Sequence, residues 1–401
     1  MKVALVGNQD NIAYHLCKWM RKEGVDAHVF LIRRDRDMRS QPQLVDPQVA
    51  QIRPEWLHDY DEGGAMWLLR SPRRARRIED AHDVVVTCGA SGLVVASHFR
   101  RAPVMHVTLG SEVSDFSQRL WKWNTPLAWR GVSLLSRRGL RRARAIITTG
   151  YAPELAALRR LDCLAKVRLW AMPADFDTNL GRIDQDLSAR LRLRYDGCNK
   201  VFMWLSRLNF LDPSAHNYKA PEKFLEAFGQ VIAQGKWNVR AVIGDHGTDN
   251  EAFKTLVREQ GLEDHIDFVP HLSFTELLTY ANLPNAVVFD YITPRGGGLY
   301  GLDREALSVG AVLVKAIDPR IVGLLFGDGC PILSVTDAQS CRQAMTRLLE
   351  CTQEQFETIR RDYALWARGH VHYVEPVRRF VRMLNELDYC ARAERQAKGR
   401  S

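Results

Sequence analysis

The feature that most constrains the fold is a pattern that occurs twice along the chain. Short, nearly continuous apolar runs rich in β-branched residues alternate with longer amphipathic segments, first over residues 2–161 and again from residue 199 onward. Such runs predict strands buried on both faces, and their alternation with helical patterns predicts parallel βαβ units. The 401-residue chain is long enough for two domains, so we predict an α/β protein with two doubly wound, Rossmann-like domains.

The repeated pattern also predicts the boundaries of the elements and domains. The predicted strands are 2–8, 27–32, 83–89, 103–109 and 145–150, then 199–206, 239–245, 265–272, 285–291 and 311–317. We predict an N-terminal domain over 1–180, a second domain over 199–370, and a C-terminal helix over 371–401 that packs back toward the first domain and ends in a basic tail. Ligands of doubly wound sheets bind at the carboxyl ends of the strands, so we expect the two domains to face each other across a cleft that holds the active site.

The net charge of +9 is unevenly distributed. Residues 1–180 contain 28 Lys and Arg against 19 Asp and Glu, whereas the rest of the chain is neutral. A basic surface attracts anionic partners such as phospholipid, lipid-linked phosphate or nucleic acid, although a solvated basic face without a partner gives the same count.

The cysteines and the apolar segments indicate a compartment. The eight cysteines form no CxxC pair and none lies near a histidine at metal-ligand spacing, which favours free, reduced thiols. The sequence opens on a strand-like run without the pattern of a signal peptide, and no stretch approaches the roughly 20 apolar residues that cross a bilayer. We therefore expect a cytoplasmic protein that does not span the membrane.

Three features of the second half indicate a site for a nucleotide diphosphate. Arg207 follows a predicted strand and Lys219 precedes the next helix, so both cations can converge on phosphate oxygens. The glycine-rich segment PRGGGLYG, residues 294–301, lies between a strand and a helix, where its backbone N–H groups can approach an anion. Glu305 lies in that helix, and a carboxylate there suits a ribose diol. The segment is neither a P-loop nor a GxGxxG fingerprint.

Taken together, these features resemble the GT-B glycosyltransferases, in particular the family-4-like group. The group's GR…KGxxxLxxAF pattern is similar to Ser206-Arg207 and Lys219-Ala220 followed by Phe224-Leu225 and Ala227-Phe228. Its EGFGLxxxEAMAxGxPVV motif is similar to GGLYGLDREALSVGAVLVKA, which starts at Gly297. The segment around Gly7 and Asn8 resembles the first βαβ unit of the family, on the acceptor side.

The resemblance implies a role for each matching residue. Arg207 and Lys219 would hold the donor diphosphate, and Glu305 would bind the ribose. Backbone N–H groups of Gly298, Leu299 and Tyr300 would face the donor phosphates, and the nucleobase would lie at His271 and Leu272. The resemblance further implies a retaining transferase that needs no metal and no cofactor besides a UDP- or GDP-linked sugar as co-substrate.

Two departures from the family pattern leave the sugar and the catalytic residue open. Gly297 occupies the position of the first glutamate of the motif, which usually contacts the sugar, and Asp290 could substitute for it. In the first domain Leu109-Gly110-Ser111-Glu112 matches a family stretch ending in HGSD, so Glu112 is the candidate for contacting the sugar or acceptor. His106 lies on the other face of that strand and is a candidate core or supporting histidine. Catalysis would then depend on Glu112 together with Arg207 and Lys219.

The segment 116–144 indicates the acceptor. It combines Trp121, Trp123 and Trp129 with many Lys and Arg residues, which suits the headgroup layer of a membrane, although tryptophans in an ordinary core give the same pattern. The basic cluster SPRRARR at 71–77 adds to this face, whereas the DRD at 35–37 reads as a solvated charge cluster. We predict a glycan or lipid-linked acceptor in cell-surface polysaccharide or lipopolysaccharide-type synthesis, at the inner face of a membrane. The alternatives are a glycosyltransferase acting on modified nucleic acid, another GT-B activity such as sugar-nucleotide epimerisation, and a non-catalytic GT-B homologue.

Overall fold

The computed structural model describes residues 1–32, 41–46, 48–60, 67–114, 127–215 and 217–398. The chain divides into two compact units. The first comprises Met1–Trp170 together with Pro376–Ser401, and the second comprises Ala171–Glu375. Residues 171–180 therefore belong to the second unit.

The first unit is built on one parallel sheet. Its strands are β1 Lys2–Val6, β2 Asp26–Leu31, β3 Leu57–Asp59, β4 Val84–Cys88, β5 Val104–Val107, β6 Ala145–Thr148 and β7 Val167–Leu169. Their order in the sheet is β3-β2-β1-β4-β5-β6-β7. Strand β1 pairs with β2 and β4, so that Val3 lies opposite Ala27 on one side and Val84 on the other. The middle strands β4 and β5 are buried at every residue, as the continuous apolar runs predict.

Helices cover both faces of this sheet. They are α1 Ile12–Lys22, α2 Pro42–Val45, α3 Gln48–Gln51, α4 Trp67–Ala81, α5 Gly89–Ala96, α6 Ser111–Ser114, α7 Leu127–Arg142 and α8 Ala152–Arg160. Both α4 and α7 pack on the apolar α5. The α5–α7 contact is close because Gly139 has no side chain: a Cβ there would lie 2.2 Å from the carbonyl oxygen of Leu93.

The second unit repeats the plan, which confirms the predicted doubly wound pair of sheets. Its strands are β8 Lys200–Trp204, β9 Val239–Gly244, β10 Ile266–Val269, β11 Ala286–Asp290, β12 Val312–Lys315 and β13 Leu333–Ser334. They run parallel in the order β10-β9-β8-β11-β12-β13. The switch point of this order lies between β8 and β11, because β9 and β10 extend the sheet on one side and β12 on the other.

Helices also accompany the strands of the second unit. They are α9 Phe176–Leu180, α10 Gln185–Arg194, α11 Pro221–Ile232, α12 Asn250–Glu259, α13 Phe274–Ala281, α14 Gly301–Ser308, α15 Pro319–Phe326, α16 Ala338–Glu350 and α17 Gln353–His370. On α11 the Phe224 ring lies 5.8 Å from Trp204 of β8 and 5.1 Å from Phe289 of β11. This aromatic packing fixes α11 across the switch point.

The last helix, α18 Val374–Lys398, belongs to the first unit from Pro376 onward. The indole N–H of Trp170 donates to the carbonyl of Pro376 at 2.8 Å, and the Trp170 and Phe380 rings lie 5.0 Å apart. Arg144 forms a two-pronged ion pair with Glu394. In the part of the chain described, no helix is both long and apolar enough to cross a bilayer.

Candidate functional site

The candidate site of the second unit lies at the carboxyl ends of β8, β11 and β12, next to the switch point. Ser206 follows β8, Asp290 ends β11 and Lys315 ends β12. Because the strands are parallel and adjacent, these three positions share one edge of the sheet. Doubly wound sheets bind their ligands at this kind of edge.

Lys219 is held at this edge by two side chains. Its Nζ donates to Asp290 Oδ1 at 2.9 Å and Oδ2 at 3.2 Å, and to Ser206 Oγ at 2.9 Å. Ser206 in turn donates to Asp290 at 2.7 Å. Asp290 is fully buried and Lys219 is 14% exposed at its side chain, so the pair is largely shielded from water. Asp290 therefore acts as the counter-ion of Lys219, which differs from the sugar contact considered for it.

Tyr291 follows Asp290 and forms one wall of the site. Its backbone has φ +45°, the left-handed region that a bulky residue rarely adopts. The ammonium of Lys219 lies 4.2 Å from the centre of its ring, a cation–π distance. A residue held in this conformation at a strand end marks a place where the local backbone is constrained by its neighbours.

Arg207 differs from Lys219 in its surroundings. It is exposed, and among the described residues its guanidinium forms no ion pair or hydrogen bond, whereas Lys219 is paired with Asp290. A charge-assisted hydrogen bond from a free guanidinium to a phosphate is among the stronger polar contacts in proteins. Of the two cations predicted to hold a diphosphate, Arg207 is thus the one with its full charge and donors available.

The glycine-rich segment passes close to β12. A Cβ on Gly296 would lie 2.6 Å from the carbonyl oxygen of Ala316, so this position requires glycine. Gly296 donates its N–H to Thr293 at 3.0 Å, and Gly297 donates to the Tyr300 hydroxyl at 3.3 Å. The carbonyl of Gly297 accepts from the N–H of Asp318 at 3.3 Å. The loop is therefore tied to the protein at several points.

Two backbone N–H groups in this loop donate to no acceptor that the structure describes. Within the part of the chain described, neither the N–H of Gly298 nor that of Leu299 donates a hydrogen bond, and Leu299 is only 2% exposed. A shielded N–H group without an acceptor is uncommon in folded proteins. Successive N–H groups just before a helix, here α14, form a favourable position for an anion.

The N–H group of Tyr300 has a different partner from the one predicted. This group was expected to face a donor phosphate, but it donates to Asp303 Oδ2 at 2.7 Å. Asp303 lies in the first turn of α14 and caps its N-terminus in this way. The N–H groups available to a ligand are therefore those of Gly298 and Leu299.

Glu305, His271 and Leu272 remain predictions for the ribose and the nucleobase. Glu305 lies on α14 with its side chain 21% exposed, 4.0 Å from Arg304. His271 follows β10 and is exposed, while Leu272 is partly buried. The His271 ring lies 5.0 Å from that of His246, which follows β9, so an aromatic pair stands at the ends of these two strands.

In the first unit, Gly7 and Asn8 shape the turn after β1. Gly7 has φ +86°, and a Cβ there would lie 2.3 Å from the carbonyl oxygen of Cys88. Asn8 is fully buried; its amide donates to Asn11 at 2.9 Å and its oxygen accepts from the N–H of Tyr14 at 2.8 Å. These side-chain bonds organise the turn, and an acceptor contact by either residue stays a prediction.

Glu112 and His106 lie in a buried polar cluster at the ends of β5 and β6. Glu112, His106 and Glu154 are each at most 2% exposed. Glu112 Oε1 accepts the N–H of Leu109 and lies 3.9 Å from His106 Nε2. The direct contact expected between Glu112 and a sugar or acceptor is thus corrected: in this structure the carboxyl holds the Leu109 loop and does not reach the surface. His106 is a core histidine, as its strand position indicates.

Burial determines the protonation of this cluster. Burial, with a contribution from the nearby Glu154, raises the pKa of Glu112 to about 8. Burial also raises the pKa of Glu154 to about 7, although hydrogen bonds from Thr108 and Thr148 act to lower it. Burial lowers the pKa of His106 to about 3. The pair of acids therefore keeps at least one proton near neutral pH, beside a neutral imidazole.

Comparison with known proteins identifies the architecture. Searches of protein-family profiles and of curated proteins each gave no match. Solved structures match over nearly the whole chain. Anabaena Alr3699/HepE in complex with UDP aligns with a TM-score of 0.65 and 15% identity, covering 96% of this chain and 100% of that one.

Two further structures give the same result. Sucrose-phosphate synthase from Thermosynechococcus elongatus has a TM-score of 0.65 at 14% identity, covering 97% of this chain and 100% of its own. The apo form of the lipopolysaccharide outer core galactosyltransferase WaaB aligns with a TM-score of 0.57 at 11% identity, covering 96% of this chain and 99% of its own. The chain has the GT-B fold.

Within this GT-B chain, the sequence prediction missed Lys315 and Asp303. Both are fully buried and paired with each other beneath the glycine-rich loop. A lysine that ends an all-apolar strand, at the carboxyl edge where ligands bind, was the signal that could have found this pair. The segment DRD at 35–37, and Trp121 and Trp123, lie outside the described residues.

Proposed function

We propose that this chain is a glycosyltransferase that moves a sugar from a UDP- or GDP-sugar to a glycan or glycolipid acceptor. The GT-B fold supports the proposal, since structures of the same fold are named as transferases or as UDP complexes. The observation that carries it is that, among the residues the structure describes, Arg207 forms no ion pair and the N–H groups of Gly298 and Leu299 have no acceptor, at the same edge of the sheet beside the switch point. Together they provide donors for a diphosphate.

These groups suit the departure of a nucleoside diphosphate. Negative charge grows on the leaving phosphate as the bond to the sugar breaks, and fixed donors stabilise charge that develops in the transition state. Arg207 supplies a guanidinium and the loop supplies oriented N–H groups. Lys219 adds a second cation whose charge Asp290 partly offsets.

The remaining assignments follow the resemblance and the position of the side chains. Glu305 would accept hydrogen bonds from the ribose hydroxyls, and His271 with Leu272 would border the base. Gly297 offers no side chain to the sugar. The retaining outcome and the absence of a metal or other cofactor are part of the proposal, and we assign the acceptor to the first unit.

A basic face on α7 supports an acceptor embedded in an anionic membrane. Arg130, Leu134, Arg138 and Arg141 are exposed and lie on one side of the helix, and Trp129 precedes them with 41% exposure. By contrast, Arg142 is used inside the protein, where it donates to the carbonyls of residues 99, 100 and 102. Arginines that flank an exposed leucine and tryptophan suit the interface of a bilayer.

Helix α4 carries a second group of exposed arginines. Arg73, Arg76 and Arg77 are exposed, and α4 packs on α5 as α7 does. Each basic residue near an anionic surface contributes about 1 kcal/mol of attraction. The proposed location is therefore the cytoplasmic face of a membrane, where the protein would be peripherally bound.

A ligand screen tests the donor site. We expect UDP or GDP, and their sugar conjugates, to raise the melting temperature through binding to the folded state. Arg207→Ala should remove that shift, whereas Arg258→Ala, an exposed arginine on α12, should keep it. No shift with any nucleotide in the wild-type protein would contradict a donor site and favour a non-catalytic homologue.

Acceptor assays and vesicle binding test the rest. We expect sugar transfer from the donor to lipid-linked glycans and none to modified DNA. Transfer to DNA alone would establish the nucleic-acid alternative. Consumption of the donor without transfer to any acceptor would indicate an epimerase. Co-sedimentation with phosphatidylglycerol vesicles should weaken in Arg138→Ala/Arg141→Ala and more so with Trp129→Ala. Arg258→Ala is again the control, and equal binding by all variants would contradict the membrane face.

A further inference from the structure

Lys315 is a buried lysine that the proposed chemistry does not use directly. Its side chain is fully buried at the end of β12, where lysine is rarely found unless it is paired. Its Nζ donates to the carbonyl of Gly298 at 2.9 Å and to Asp303 Oδ2. The ring centres of Tyr300 and Tyr291 lie 4.3 Å and 5.4 Å from the ammonium, so aromatic walls complete its surroundings.

The contact with Gly298 sets the direction of one peptide group. The carbonyl of Gly298 and the N–H of Leu299 belong to the same planar trans peptide, so they point in opposite directions. Because Lys315 draws the carbonyl toward the protein interior, the N–H of Leu299 points away from the ammonium. This is one of the two N–H groups that have no acceptor within the described residues.

Asp303 couples the same lysine to the start of α14. One oxygen, Oδ2, accepts from both Lys315 and the N–H of Tyr300. The other, Oδ1, is buried without a hydrogen-bond partner in the described part of the chain. The buried ion pair therefore fixes two successive peptide groups of the loop, one through the Gly298 carbonyl and the next through the Tyr300 N–H.

We propose that Lys315 is a positioning residue, which orients the Gly298–Leu299 peptide so that its N–H can bind a phosphate of the nucleotide-sugar. Lys315 acts through the peptide and does not touch the ligand, because its side chain is buried and its charge is neutralised by Asp303. This inference rests on the proposed donor site, since the anion it serves is the donor diphosphate.

The test replaces the ammonium and keeps a matched control. Lys315→Met retains the apolar stem and removes the donor. Lys200→Met is the control, because Lys200 is also buried, at 3% exposure, but starts β8 at the opposite edge of the same sheet. If Lys315→Met does not fold because Asp303 loses its counter-ion, Lys315→Met/Asp303→Asn removes both charges and takes its place.

Two measurements are made on the full chain. The first is hydrogen exchange of the loop without ligand, where the Tyr300 amide should exchange about tenfold faster or more in Lys315→Met than in Lys200→Met. The second is calorimetric affinity for UDP and for uridine. UDP should bind about tenfold or more weakly in Lys315→Met, since a hydrogen bond to a charged group is lost, while uridine changes less than about twofold.

Each outcome decides the matter. Faster exchange with a loss confined to UDP supports the inference. Unchanged exchange, or an equal loss for UDP and uridine, would overturn it. Faster exchange with unchanged UDP affinity would show that the clamp exists but does not serve the ligand, which also overturns it. Absence of UDP and GDP binding in the wild-type protein would instead reject the proposed donor site, and the positioning role with it.

Discussion

Replacing Glu112 by glutamine should stabilise the first unit at alkaline pH and have little effect in mild acid. The carboxyl is completely buried, and its pKa is raised to about 8 by burial and by the nearby Glu154. A raised pKa means that the folded state favours the protonated acid. The contribution of Glu112 to stability is therefore fully present below its ordinary pKa near 4.5 and is lost as the pH rises through about 8.

The size of the effect follows from that shift. A change of one pKa unit corresponds to about 1.4 kcal/mol, so ionising Glu112 in the folded state costs at most about 5 kcal/mol. Relaxation of the structure around the charge reduces this, and we expect about 2 kcal/mol at pH 9, or about 4–8 °C in melting temperature for a unit of this size. Glutamine keeps an oxygen that can accept the Leu109 N–H and has no proton to lose.

The assay is thermal unfolding across pH, with Glu55→Gln as control. The Glu55 side chain is 88% exposed in the same unit, so its replacement should leave the pH profile unchanged. The difference in melting temperature between Glu112→Gln and the wild type should be near zero at about pH 5 and grow toward pH 9. A difference that is constant over this range, or a variant less stable at pH 9, would refute the argument that the buried carboxyl is protonated at neutral pH.

Three further predictions concern the second unit. Gly296→Ala should lower UDP affinity about tenfold and destabilise the unit by about 1–3 kcal/mol, because a Cβ there would lie 2.6 Å from a backbone carbonyl. Calorimetry and thermal melts measure these two effects. Gly301→Ala is the control, because a Cβ there would have no neighbour within 4 Å. Lys219→Met should cost about 3–5 kcal/mol in urea unfolding, since it leaves Asp290 buried and unpaired, and adding Asp290→Asn should recover most of that loss; a double variant as unstable as the single one would contradict the role of the ion pair. Glu305→Ala should weaken UDP by about tenfold with an unchanged melting temperature for the free protein, and equal affinity would remove the ribose contact.

Much of the fold could be predicted because its central strands are continuous apolar runs. The strands β4, β8 and β11 are buried at every residue, and each coincides with a predicted run. The strands β3, β7 and β13 were missed because they are only two or three residues long at sheet edges, too short to show a pattern.

The helices α9 and α10 were missed for a different reason. Their stretch is polar, and α10 keeps only two buried residues, so the apolar periodicity on which the prediction depended is weak. The signals that could have found them are the residues that directly precede each helix. Asp175 and Asp184 each accept a hydrogen bond from the backbone N–H three residues later, which is the pattern of a helix N-cap.

The candidate site shows which side-chain roles sequence spacing can predict. Position along the chain predicted that Arg207, Lys219 and the glycine-rich loop share one sheet edge, and the fold brings them there. The bond from the Tyr300 N–H to Asp303 joins residues three apart at the start of a helix, so a capping pattern in the sequence could have indicated it. Sequence spacing could not predict that Asp290 neutralises Lys219, because this pairing depends on the three-dimensional distance between residues far apart in the chain. For the same reason the burial of Glu112 could not be read from its match to a family motif.

The distribution of charge among these residues has a chemical consequence. Two of the lysines at the edge, Lys219 and Lys315, carry buried carboxylate partners and so contribute little net charge to a ligand. The ion pairs instead hold fixed geometry around Tyr291 and the glycine-rich loop. In the proposed donor site, we therefore expect the attraction for a diphosphate to come mainly from Arg207 and from the dipoles of the Gly298 and Leu299 peptides, which are already oriented before a ligand binds. Salt should accordingly weaken nucleotide binding, and it should do so less steeply in Arg207→Ala than in the wild-type protein.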